Sequence, residues 1–235
     1  MNNDPKASSQ QRGILNGIEK VLVNLIPFIY AFTCIIPVVW LFYTSFKTMS
    51  EFSANVISLP KSFLNFSNFN HVFTKMQIGV PMFNTIRNTA IIVGLVIVFA
   101  FINGYFFARF RFRGRGVMMG LYMCNLLIPI HAILVPTYIL FSFLGWNNQW
   151  FSTILPTVCM EMTTSIFLVV GYVSTIPREL EEAASIDGSS FSRTLFSIIF
   201  PIIRPVLVTV GIISFFHAWN EFPFSLVMFS NEKFY

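Results

Sequence analysis

Residues 174–205 read STIPRELEEAASIDGSSFSRTLFSIIFPIIRP, and this stretch decides the fold. Pro177 suits the first position of a helix, where its missing N–H costs nothing, and Glu179, Glu181 and Glu182 sit at the positive end of the helix dipole. The helix runs on through Leu180, Ala183 and Ala184 and stops at Gly188, which can take the left-handed conformation that closes a helix end. Ser189 or Ser190 can cap a second helix from Phe191 to about Phe200, ahead of Pro201 and Pro205. The product is helix, glycine turn, helix. From Pro177 to Arg204 four acids stand against three arginines. A helix that adheres to lipid shows Lys and Arg on its polar face, so the acidic balance points to a protein partner. The small alanines permit close approach.

The surroundings of this elbow are membrane sequence. The chain has 235 residues, 55% hydrophobic and only 11% charged, where an ordinary soluble domain carries about 25% charge. A soluble enzyme, a disordered chain and a nucleic-acid-binding protein are all excluded by that composition, since the net charge of +5 is modest. Cys34, Cys124 and Cys159 lie inside apolar runs without metal-ligand spacing and read as small core residues.

A span needs about 20 mostly apolar residues. Residues 21–46 and 88–108 are uncharged runs of that length. From Gly116 to Met160 there are 45 uncharged residues, too many for one helix. The polar, aromatic stretch Gly145–Trp150 divides them into spans near 117–142 and 151–173. A last span runs near 206–228. Five spans follow, with a polar tail over 1–20, an outer loop over 47–80 rich in phenylalanine and expected at a membrane or protein surface, and the elbow loop over 174–205. Pro129, Pro136 and Pro156 are expected to kink the third and fourth spans.

Lys and Arg accumulate on the cytoplasmic side of membrane proteins. With the amino terminus cytoplasmic, the inner segments hold Lys6, Arg12, Lys20, Arg109, Arg111, Arg113, Arg115, Arg178, Arg193 and Arg204. The outer segments hold Lys47, Lys61, Lys75, Arg87 and Lys233. Ten against five supports that orientation. The arginine block 109–115 reads chiefly as a topology anchor.

The run EEAASIDG, Glu181 to Gly188, is followed after nine residues by IIFP, Ile198 to Pro201. This resembles the EAA loop of bacterial ABC importer permeases of the carbohydrate-uptake type, with MalG-like subunits; only a leucine is replaced, by Phe200. ARFRFRGRG from Ala108, IPIHAILVPTYIL from Ile128, LGWNNQW from Leu144 and HAWNEFPF from His217 are similar to that branch too. The resemblance implies an all-α membrane protein of the type I ABC importer transmembrane fold (MetI-like), with the importer domain over 81–235. The family carries six spans, so the chain is expected to stop before the last of them. Carried over by match, Glu182, Ala183, Ala184 and Gly188 are the coupling positions, with Glu181, Ile198 and Pro201 completing the motif. The implied partners are a second homologous permease, two cytoplasmic ATPase subunits that bind ATP and Mg, and an extracytoplasmic sugar-binding protein. The chain itself is expected to need no cofactor and to be no enzyme, to lie in the bacterial inner membrane and to contact no nucleic acid.

Charged groups inside hydrocarbon are costly and mark pathways or partners. Glu161 and Glu221 are such groups, joined by Asn125, His131 and Asn220 as candidates for the translocation path or a subunit interface. His217 and Glu221 are four residues apart and share a helix face, a spacing open to a metal pair or a proton relay, although two residues make a weak metal site. The alternative class is a proton-coupled secondary transporter titrating Glu161, His131 or Glu221, which would have no use for the EAA loop. No phosphate-binding loop or zinc-protease motif occurs.

Overall fold

The computed structural model describes residues 5–230, with side chains from residue 23 onward. The side chains of the tail over 1–20 and all of Lys233 therefore lie outside the described residues. The described residues contain helices and no strand. The chain divides into two compact units, Met1–Ile78 and Gly79–Tyr235.

In the first unit α1 spans Pro5–Thr44 and carries a 22-residue apolar window, Val23–Thr44. Its backbone is helical from Pro5, where the sequence reading expected a tail. Two short helices follow, α2 (Met49–Ala54) and α3 (Ser67–Thr74). Thr48 caps α2 in a reciprocal box with Glu51. The Thr48 backbone N–H holds the exposed Glu51 carboxyl below the usual carboxylate range. Lys47 is buried and donates from Nζ to the carbonyls of Asn55 and Val56 at 2.9 and 3.0 Å, closing the loop on itself. Phe46 is buried with Phe63, Phe66 and Phe69 around it at 5.5–5.8 Å between ring centres. Phe63, Phe66, Phe69 and Phe73 are themselves exposed, in keeping with a loop at a surface, and the first three group around Phe46.

The second unit is built on α4 (Gly79–Arg109), which packs against α7 (Ile154–Ser174) and α10 (Phe200–Trp219). Val96, Ala100, Ile166, Val169, Ile203 and Val210 are fully buried between them. At Gly104 the helices touch so closely that an added Cβ would stand 2.5 Å from Val169 Cγ1.

Between α4 and α7 lie α5 (Arg115–Leu127) and α6 (Ile130–Phe143), bent by 108° at their junction. The third span is therefore broken, not merely kinked. Pro129 has no N–H to continue the helix and forces Ile128 into extended backbone, φ −90° and ψ 113°. Pro136 sits inside α6, whereas Pro156 falls in the first turn of α7, where no hydrogen bond is lost and no kink is needed. Four helices among the described residues are long and apolar enough to cross a membrane, and a fifth if the bent pair counts as one.

Beyond α7 come α8 (Glu179–Ile186) and α9 (Phe191–Thr194), and the chain then stays helical through Leu195–Ile199 into α10. Pro201 and Pro205 thus do not end the helix. Leu195–Ile199 is a π-helical turn, with the Phe200 N–H bonded to the Leu195 carbonyl, and this wider turn precedes the prolines. The last span accordingly ends at Trp219, not at 228, and Pro223–Met228 form a separate α11 packed on α6. All three cysteines are exposed on the isolated chain, not in its core. In a membrane helix an apolar side chain has no need to turn inward.

Candidate functional site

The acidic elbow begins two residues later than Pro177 requires, at Glu179, with the three glutamates in its first turn. Its end is closed as the glycine predicts. Gly188 takes φ +77°, its N–H bonds to the Ser185 carbonyl at 3.1 Å, and the Ser189 N–H reaches the Ala184 carbonyl at 2.9 Å. An added Cβ at Gly188 would meet nothing within 4 Å, so glycine is needed there for backbone conformation and not for room. Of the two candidate serines, Ser190 caps α9, its hydroxyl accepting from the Arg193 N–H.

Adjacent glutamates on this helix have opposite environments. Arg109 Nε donates to Glu181 Oε1 at 2.6 Å, and the Tyr105 hydroxyl donates to Glu181 Oε2 at 2.7 Å. Arg109 also donates from Nη2 to the Ile176 carbonyl at 2.9 Å. The side chains of Arg109 and Glu181 are 7% and 20% exposed. Glu181 therefore ties α8 to the end of α4. Glu182 and Ala183 are exposed, Ala184 is buried, and Ile186 is 86% exposed. Ile198 is half-buried and Pro201 exposed, both in the helix that follows.

At the other end of the same bundle polar groups cluster inside the apolar helices. His217 Nδ1 lies 2.6 Å from Glu161 Oε1. Glu161, His217, Asn220 and Glu221 line one cavity of about 360 Å³ between α7, α10 and α11. Glu221 falls beyond α10, and its carboxylate accepts from the Phe224 N–H at 2.6 Å and the Ser225 hydroxyl at 2.6 Å, holding the start of α11. Asn125 donates to Thr163 Oγ1 at 2.9 Å, joining α5 to α7.

The elbow and the polar cluster both lie within residues 97–234, which match the family profile described as binding-protein-dependent transport system inner membrane component. The chain belongs to this family. An ABC transporter permease protein, ORF2, of Caldicellulosiruptor sp. is 34% identical over 201 residues, 83% of this chain and 71% of its own. The melibiose/raffinose/stachyose import permease protein MelC of Bacillus subtilis is 30% identical, covering 90% of this chain and 76% of its own. The trehalose/maltose permease protein MalG of Thermococcus litoralis is 28% identical, covering 92% and 78%. The fold matches a bacterial ABC transporter solved as an importer of the polysaccharide alginate, with a TM-score of 0.80 and 22% identity over 97% of this chain and 77% of that one.

In this permease the structure gathers Glu161, Asn220 and Glu221 at one cavity but leaves Asn125 and His131 outside its lining. His131 is exposed in the first turn of α6. The pairing of His217 with Glu221 is not formed. The helix ends at Trp219, so the four-residue spacing no longer shares a face, and His217 turns to Glu161 across the α7–α10 contact. No group of three or more metal-ligating side chains occurs among the described residues. Sequence reasoning missed Arg109 and Tyr105 as partners of Glu181. No local signal pairs them, since Arg109 and Glu181 lie 72 residues apart in the chain. Arg109 donates to Glu181 and Arg115 to the Phe107 carbonyl, so two arginines of the block also hold the local fold.

Proposed function

We propose that the permease forms part of an ATP-driven importer that carries a sugar or oligosaccharide into the cytoplasm, with α8 as the helix through which ATPase subunits act. One observation carries this reading: two adjacent glutamates divide the work of a coupling joint. Glu181 is fixed inward to Arg109 and Tyr105, while Glu182, Ala183 and Ile186 face outward around a closed glycine turn. A force applied to the outward face of α8 reaches α4 through a charge-assisted contact, and reaches α10 through α9 and the helical turns behind it. Glu182 pairs with a basic group on the ATPase subunit, and Ala183 allows the close approach.

The sugar class rests on relatives named for melibiose, raffinose, trehalose and maltose. The partners that follow are a second homologous permease, two ATPase subunits that bind ATP and Mg, and an extracytoplasmic sugar-binding protein. The amino terminus and the elbow lie on the cytoplasmic side, in keeping with the ten basic residues assigned there. Glu161, Asn220 and Glu221 line the solute path or the face toward the second permease.

The test is Gly188→Val in the complete transporter. A β-branched residue at φ +77° strains the turn by about 1–2 kcal/mol, so α8 shifts while the spans still insert. The expected result is loss of sugar-stimulated ATP hydrolysis or of ATPase co-purification, with normal membrane levels of the permease. ATPase subunits that co-purify with undiminished sugar-stimulated hydrolysis refute the role given to α8.

A further inference from the structure

The end of the bundle opposite the elbow holds a second cavity, of about 280 Å³, between the start of α4, the start of α7 and the α10–α11 junction. Over the 31 residues of α4 the two ends stand about 46 Å apart. The cavity is polar on facing walls. Asn84, Arg87 and Asn88 line it from α4, and Glu221 and Ser225 from the α10–α11 side.

Arg87 is held ready and is not neutralised. Its guanidinium lies 5.1 Å from the Trp150 ring centre, which fixes its plane. Its described hydrogen bonds, from Nε and Nη2, both go to the neutral Asn88 Oδ1, and among the described residues no carboxylate pairs with it. A guanidinium presents five donors in a rigid fork, so further N–H groups remain for a ligand. Across the cavity Glu221 Oε2 accepts only from the Ser225 hydroxyl among its described bonds, leaving acceptor capacity.

We infer that this cavity is a solute subsite on the permease itself, built for one ring of a neutral polyhydroxylated solute. The inference deepens the importer reading and rests on it. A sugar hydroxyl both donates and accepts, so a ring set between Arg87 and Glu221 satisfies both walls at once. An anionic ligand would gain at Arg87 and be repelled at Glu221. The volume, near the lower end of the about 300–1,000 Å³ usual for small-molecule sites, suits one ring-sized group and not a whole oligosaccharide. The site takes the solute ring as it enters from the outer side, and the Trp150 stack keeps the donor fork oriented while the cavity is empty.

The experiment uses the complete transporter in proteoliposomes with ATP, its binding protein, and melibiose, raffinose and trehalose as probes. It measures sugar moved per ATP hydrolysed, alongside ATP hydrolysis stimulated by the binding protein. Arg87→Gln removes the charged fork and is expected to lower sugar moved per ATP about tenfold, with hydrolysis within about twofold of the unaltered complex. Arg87→Lys keeps the charge without the fork and falls between, and Asn84→Ala gives a smaller loss of the same kind. A ratio unchanged in Arg87→Gln overturns the subsite, as does hydrolysis that falls in step with transport in all three variants, which marks a purely structural role. Sugar uptake by the unaltered complex that follows a proton gradient and ignores ATP overturns the importer reading and the subsite with it, whereas the preceding outcomes leave the importer reading standing.

Discussion

The two ends of the second unit solve one problem differently. Each holds a glutamate that another helix must satisfy, Glu181 at the elbow and Glu161 in the polar cluster. Glu181 meets a permanent cation and a phenol, and the Arg109 side chain is 7% exposed. Among the described residues Glu161 meets His217, whose side chain is 59% exposed. The first contact is a brace that engages both carboxylate oxygens, one by Arg109 and one by Tyr105. The second is a single contact between side chains of two helices. On the proposed reading, the brace belongs to a joint that passes force and the second contact to a path that admits and releases solute.

The sharpest way to break this contrast is to remove the brace. Arg109→Ala leaves Glu181 shielded with Tyr105 alone and is expected to cost about 3 kcal/mol of stability, read as a fall in thermal midpoint in detergent or nanodiscs. Arg109→Met combined with Glu181→Leu should recover most of that loss, since no unpaired charge remains, yet not recover transport. Gly104→Ala tests the α4–α7 contact just behind the brace. Its Cβ meets Val169, so α4 and α7 must part, at about 1–3 kcal/mol. His217→Ala leaves Glu161 without its described partner among the apolar helices and is expected to cost about 1–3 kcal/mol of stability while altering uptake kinetics. The smallest stability effect is expected at Glu182. Glu182→Gln, on an exposed surface, should shift the midpoint by less than about 0.5 kcal/mol and still lower coupled transport severely. A Glu182 variant with full transport would reduce the elbow to its brace.

What was legible in the sequence follows from range. The elbow could be read because its signals are local: acids in a first turn, a glycine with φ +77°, a serine cap. The brace could not, because Glu181 and Arg109 are 72 residues apart and nothing in either stretch names the other. Pro129 announced a disturbance of the third span but not a bend of 108°, whose size depends on how α5 and α6 pack against other elements. Pro201 and Pro205 misled in the other direction, since the π-helical turn before them is invisible to a reading that assumes a constant period. His217 and Glu221 were paired by helical spacing across a point where the helix ends. In the polar cluster, partners come from different helices, so composition marks the residues and only the fold pairs them.

The central claim is that this permease works by ATP-driven coupling through α8. The most direct test is sugar uptake by the complete transporter in proteoliposomes, with the driving force varied. The account predicts uptake that survives a protonophore and stops when ATP is withheld. Uptake that follows the proton gradient and ignores ATP would contradict it.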